Sequence, residues 1–121
     1  MRRSTVEQYL KAIHSLEMND GEVRTNELAE RLGVKPSSVS EFCRKLRGRG
    51  YISWEPYHGA RLTEEGRSIA RSVEKRYDTL LNFLLSLGVD PEEAAEQACN
   101  MEHEISDESA SRLRGLMGKI D

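Results

Sequence analysis

The chain has 121 residues, 37% apolar and 32% charged, which suits a soluble, highly charged globular protein with one core, or a small domain plus a helical extension. No apolar run approaches the ~20 residues that a membrane span requires. The formal net charge of −3 argues against nucleic acid only until its distribution is examined: residues 1–30 carry −2, residues 31–76 carry +6 and residues 77–121 carry −7.

Met-Arg-Arg-Ser-Thr at the start runs directly into a polar, periodic segment, which predicts no secretory signal. Val6, Leu10 and Ile13 recur at helical spacing with Tyr9 beside them, predicting an amphipathic helix over 5–18. Asn19-Asp20-Gly21 then supplies turn chemistry. Thr25 is expected to cap a short helix over about 26–32, with Gly33 at its end. Pro36-Ser37-Ser38 reads as the start of the next helix, with hydroxyls available for capping and Val39, Phe42, Cys43 and Leu46 along one face. Two helices joined by a short Gly-containing turn, the second rich in Ser and Arg on its open face, form a helix-turn-helix.

Tyr51-Ile52-Ser53-Trp54 is strand-like, Pro56-Tyr57-His58-Gly59 is a turn and Ala60-Arg61-Leu62 returns, so a hairpin comes next as a wing. Trp54 is expected to pack that wing on the body. Thr63 caps a long helix through Leu84 and Leu85, inside which the basic part of the chain gives way to the acidic part, implying a rigid join. From 76 to 89 the apolar residues are too numerous for one face of a lone helix. Asp90-Pro91-Glu92-Glu93 opens another helix and Ser106 caps a last one. The fold class expected is therefore mainly α: a winged helix-turn-helix domain over 1–72, then a helical domain over 73–121.

Three sets of residues carry chemistry. A major groove about 12 Å wide admits a helix. Ser37, Ser38, Ser40 and Glu41 are therefore candidates for base and sugar contacts, and Arg24, Arg44, Lys45, Arg47, Tyr57, His58 and Arg61 for phosphates. Thr25 and Pro36, at the two helix starts, complete this DNA-binding set. The competing interpretation is a set of solvated polar helix faces. Cys99, Glu102 and His103 lie at i, i+3 and i+4, so a helix carries thiol, carboxylate and imidazole on one face, a donor set suited to a divalent transition metal. A complete site needs a further ligand, and Gln8 on the first helix can offer an oxygen. A small buried Cys beside a surface Glu-His pair explains the same spacing without metal. Cys43 is expected in the core, and two widely separated cysteines suit a reducing cytoplasm rather than a disulfide framework. No nucleophile triad, Gly-rich phosphate loop or paired metal-binding His motif is present, so neither an enzyme nor a small-molecule substrate is expected.

Glu7-Gln8-Tyr9-Leu10, Leu28-Ala29-Glu30-Arg31-Leu32-Gly33-Val34, Pro36-Ser37-Ser38-Val39-Ser40, Leu62-Thr63-Glu64-Glu65-Gly66 and Ala98-Cys99-Asn100-Met101-Glu102-His103, with Ser106-Asp107-Glu108 beyond, together resemble the metal-dependent repressors related to the diphtheria toxin repressor and the manganese transport regulator. The resemblance preserves order and spacing over nearly the whole chain. It implies a DNA-binding domain, a helical dimerisation domain without the C-terminal barrel of the longer iron-responsive members, and a homodimer that binds an inverted-repeat operator in double-stranded DNA. Leu80, Leu84, Leu87, Val89, Met101 and Leu113 are the candidate dimer interface. Cys99, Glu102 and His103 match the primary metal site of the iron-type members, and Gln8 falls where the family places a ligand from the first helix. The resemblance thus implies one metal per subunit, Fe²⁺ favoured over Mn²⁺ because cysteine prefers softer ions, with Zn²⁺, Co²⁺ or Ni²⁺ as surrogates. Tyr77 stands where the family usually has a metal-binding His, Lys11 where manganese-type members have an acid and Leu81 where iron-type members have a second-site acid. These departures leave two rivals: a winged-helix regulator with a degenerate metal site that answers another signal, and a small metal-binding protein or hydrolase on a helix-turn-helix scaffold.

Overall fold

The computed structural model describes residues 1–55 and 58–120, with side chains at all of these except 19, 20 and 120. In chain order the described elements are α1 (Arg3–Asp20), α2 (Thr25–Leu32), α3 (Pro36–Gly48), β1 (Ile52–Glu55), β2 (Gly59–Leu62), α4 (Glu64–Ser86), α5 (Pro91–Met101) and α6 (Asp107–Ile120). They divide into two compact units, Met1–Arg71 and Ser72–Asp121, and α4 contributes to both. None of the described helices is long and apolar enough to cross a membrane. The mainly helical class, with one small two-stranded sheet among the described residues, is the expected one.

In the first unit, Tyr9, Leu10, Ala12 and Ile13 form the buried stripe of α1. The helix extends two residues further at each end than its apolar pattern. It stops at Gly21, whose φ of 81° lets its N–H return to the Glu17 carbonyl at 2.8 Å. Thr25 does not cap α2: it is the first helical residue, and the capping position falls on Arg24. A guanidinium cannot accept an N–H, so the closure is one-sided, with the Glu27 carboxylate accepting from the Arg24 backbone N–H at 3.4 Å. The expected Ser37 and Ser38 caps are likewise absent, because both residues lie inside α3 and its capping position is Lys35.

The wing is the antiparallel pair β1–β2, with Ile52 opposite Leu62 and Trp54 opposite Ala60, so all four side chains point into the core. Val23 bridges Ala60 from the α1–α2 connection, with N–H···O bonds of 2.9 and 2.7 Å in the two directions. Pro56 and Tyr57, expected in the turn and in part at the DNA, lie outside the described residues. Thr63 caps α4 as expected, accepting from the Gly66 N–H at 3.2 Å while donating to the Gly50 carbonyl at 2.7 Å. Glu17 ties α1 to the end of the wing and to the first turns of α4, accepting from the Leu62 N–H at 2.8 Å and from Arg67 at 2.5 Å.

In the second unit, Leu80, Leu84, Ala94 and Ala98 form a small core, with Tyr77, Leu81, Phe83, Val89, Ile105 and Leu113 packed around it. Asp90 accepts from the Glu93 N–H at 3.4 Å and Ser106 from the Ser109 N–H at 3.0 Å, so both expected helix starts are present. Leu80 and Leu84 are expected at a dimer interface, but both are buried within their own unit and have almost no surface left for a partner. Leu87 and Met101 are exposed, and Val89 and Leu113 are half-buried.

Candidate functional site

Val39, Cys43 and Leu46 fix one face of α3 in the core, and the Phe42 ring lies against Tyr9 with centroids 4.4 Å apart. Helical periodicity then turns Pro36, Ser37, Ser38, Glu41, Arg44 and Lys45 to solvent, with Ser40 half-buried. Arg47, also exposed, is partly occupied by its own fold. It donates to the Trp54 carbonyl at 3.1 Å, and its guanidinium lies 5.5 Å from the centre of that ring, with Arg44 at 5.9 Å. These two cations therefore link α3 to the wing. Arg61 is likewise engaged, 3.8 Å from Glu22 across an exposed pair.

Arg24, Thr25, Pro36, Ser37, Ser40 and His58 line one cleft of about 630 Å³ at the starts of α2 and α3 beside the wing. Neither capping-position side chain, Arg24 or Lys35, accepts a first-turn N–H; at α3, where Pro36 has none and the Ser38 N–H bonds to the Lys35 carbonyl at 3.0 Å, this leaves the Ser37 N–H for an outside anion. Glu22 and Asn26 also line the cleft, and sequence periodicity gives no reason to select them. The Val23–Ala60 bridge and the Arg61–Glu22 pair, contacts distant in sequence, bring that connection to the wing.

Cys99 lies on α5, which ends at Met101; Glu102 takes the capping position with helical dihedrals (φ −58°, ψ −25°), and His103 falls in the turn beyond. The Glu102 N–H still reaches Ala98, but the N–H groups of Glu104 and Ile105 both turn back to the Met101 carbonyl, at 2.9 and 3.2 Å. In this turn Glu102 is fully buried, 0% exposed, with His103 Nε2 3.3 Å from its carboxylate. Cys99 is exposed on α5, and Gln8 is exposed on α1 in the first unit. Among the described residues no three His, Cys, Asp or Glu side chains meet in a way that could hold a metal. What the turn does provide is a paired oxygen and nitrogen donor withdrawn from water, a pairing that fits a divalent ion, since a buried carboxylate needs a cation or donors beside it. Tyr77 packs against the core of this unit.

The same turn is held from behind. Arg76, on α4, donates through Nε to the Glu102 carbonyl and through Nη1 to Asp107 at the start of α6, both at 2.8 Å. Nothing in the sequence marks Arg76, because a cation within a basic run reads as surface. Cys43 is in the core as expected, and burial pushes its thiol up to about 12.

The chain matches two family models: "Iron dependent repressor, N-terminal DNA binding domain" over residues 1–60, and "Iron dependent repressor, metal binding and dimerisation domain" over residues 63–121. A helix-turn-helix-type transcriptional regulator of Methanocaldococcus jannaschii is 39% identical over 118 residues, covering 96% of this chain and 94% of the relative. The transcriptional regulator MntR of Salmonella typhimurium is 38% identical over 108 residues, covering 89% and 69%. A solved manganese-dependent transcriptional repressor in complex with manganese superposes with a TM-score of 0.83 at 33% identity, covering 93% of this chain but only 52% of its own. The chain belongs to the iron-dependent repressor family, transcriptional regulators rather than enzymes, with a DNA-binding unit followed by a metal-binding and dimerisation unit.

Proposed function

We propose that this metal-responsive regulator represses metal-uptake genes, its homodimer gripping an inverted-repeat operator through α3 and the adjoining cleft. The observation that carries the proposal is the gathering of Arg24, Thr25, Pro36, Ser37, Ser40 and His58 around two uncapped helix starts, beside the exposed Arg44 and Lys45. Uncapped N–H groups and guanidinium or ammonium groups recognise phosphates, while exposed Ser and Glu on the first turns of α3 are side chains of the kind that read base edges. A dimer reads two half-sites one helical turn apart, about 34 Å.

Glu102 and His103 would hold the ion, with Cys99 and Gln8 as further donors. Fe²⁺ is favoured over Mn²⁺ by the thiol, although one solved relative is a manganese-dependent repressor. A divalent ion there supplies positive charge beside a buried carboxylate and favours one arrangement of the chain over others. The first test is binding to the protein's own upstream DNA across a salt series. Arg44→Ala and Lys45→Ala should each weaken binding and reduce the salt slope by about one. Metal titration of Cys99→Ala and His103→Ala is the second, and unchanged metal-dependent binding in both would sink the ligand assignment.

A further inference from the structure

We infer that Arg76 is a positioning residue for the metal-binding turn, holding Glu102 and His103 in place from the main-chain side. The inference rests on the assignment of those two residues as metal ligands. Arg76 is 2% exposed, and a buried guanidinium is tolerated only where its donors are matched. Two of its nitrogens bind opposite ends of one short segment. Nε takes the Glu102 carbonyl, which lies just past the end of α5, and Nη1 takes Asp107, the first residue of α6. Asp107 itself is largely exposed, so the ion pair is anchored from the buried side. The segment between the two anchors is the turn that presents the Glu102 carboxylate and the His103 imidazole 3.3 Å apart.

The planar guanidinium fork fixes direction as well as distance, which a flexible ammonium cannot do. Arg76 therefore preserves the spacing of the donor pair before any ion arrives, and its loss weakens metal binding without removing a ligand. Outer-shell partners of this sort typically change affinity about 10–100-fold.

The test is Co²⁺ titration of the full chain, reading the ligand-field absorption bands and the stoichiometry. The proteins compared are wild type, Arg76→Gln, Arg76→Lys, Asp107→Ala and Glu102→Gln. Arg76→Gln should bind at unchanged stoichiometry but about 10–100-fold more weakly, with shifted bands. Arg76→Lys should restore part of the affinity, and Asp107→Ala should show a smaller loss in the same direction. Should Arg76→Gln fail to fold, Asp107→Ala decides the matter, since it cuts one anchor at an exposed position. Wild-type affinity and bands in a folded Arg76→Gln, or in Asp107→Ala when it alone folds, overturn the positioning role if Glu102→Gln has lost binding. Equal binding by wild type and Glu102→Gln overturns the ligand assignment, and this inference with it.

Discussion

The two units treat their apolar residues differently. The first wraps α1, α2, α3, the wing and the start of α4 around Leu10, Ile13, Leu28, Val39 and Leu46, all essentially inaccessible to water; its exposed Met1, Met18 and Val34 lie near helix ends, and the open face of α3 is polar and basic. The second buries a smaller set and leaves Leu85, Leu87, Met101 and Leu116 exposed, Leu87 at 63%. One unit completes its core alone and offers water a surface suited to phosphates. The other retains apolar surface of the sort a second copy covers, consistent with its place as the family's dimerisation domain.

The strongest test of the closed first unit is Gly66→Ala. A methyl at Gly66 would lie 2.0 Å from the Tyr51 carbonyl oxygen, a backbone atom that Thr63 already engages through its N–H at 3.0 Å. The start of α4 would have to leave the base of the wing, costing about 3 kcal/mol or more. Urea unfolding should show a large drop in midpoint together with lost DNA binding, and a wild-type midpoint would mean that this junction is loose. For the second unit the matching test is Leu87→Glu. Removing one apolar side chain from an interface sacrifices about 1.5–3 kcal/mol in each subunit, so dimerisation should weaken at least about a hundredfold. Sedimentation should then find folded monomer where wild type is dimeric. An unchanged dimer would place Leu87 in water and remove the contrast between the units.

The contrast also marks what is legible in the sequence. Helix identities and the wing emerge from apolar spacing, since a period of 3.6 or 2 is a direct consequence of burying one face, whereas Leu80 and Leu84 of the second unit's core read instead as interface residues. Gly66 stands out only within a family resemblance. Its reason, a backbone passing close by, involves Tyr51, fifteen positions earlier and invisible to local patterning. Hydroxyls beside a Pro or an apolar run usually cap helices, which points to Thr25 and the α3 serines, yet the capping positions fall on Arg24 and Lys35. Helical spacing puts Cys99, Glu102 and His103 on one face but gives no sign that Glu102 is buried while Cys99 is exposed. Arg76 escapes local patterning because its partners are supplied by a turn that lies beyond another helix.

A smaller effect tests the closed core through pH. The Cys43 thiol is raised from 9.0 to about 12 by burial, so the folded state favours the neutral form. Its contribution is fully present below pH 9, then declines as the unfolded thiol ionises and is lost as pH approaches about 12. The stability difference between wild type and Cys43→Ala should therefore be constant from pH 6 to about 8 and fall steadily above about 9. A difference that is flat to pH 11 would show water reaching the thiol. Exposed Cys99 should react with a thiol reagent in the native protein, while Cys43 reacts only on unfolding.

The smallest effect repeats the first substitution in the other unit and should have the opposite sign. Gly115 lies within α6, where an added methyl meets nothing within 4 Å. Alanine there gains helix propensity and narrows the unfolded ensemble, so Gly115→Ala should stabilise the protein by about 0.5–1 kcal/mol. A modest rise in urea midpoint with unchanged dimerisation is the expected result. If the same methyl instead weakens the dimer, α6 is covered by the partner at that point, and the open surface of the second unit extends beyond Leu87 and Met101 to the glycines of its last helix.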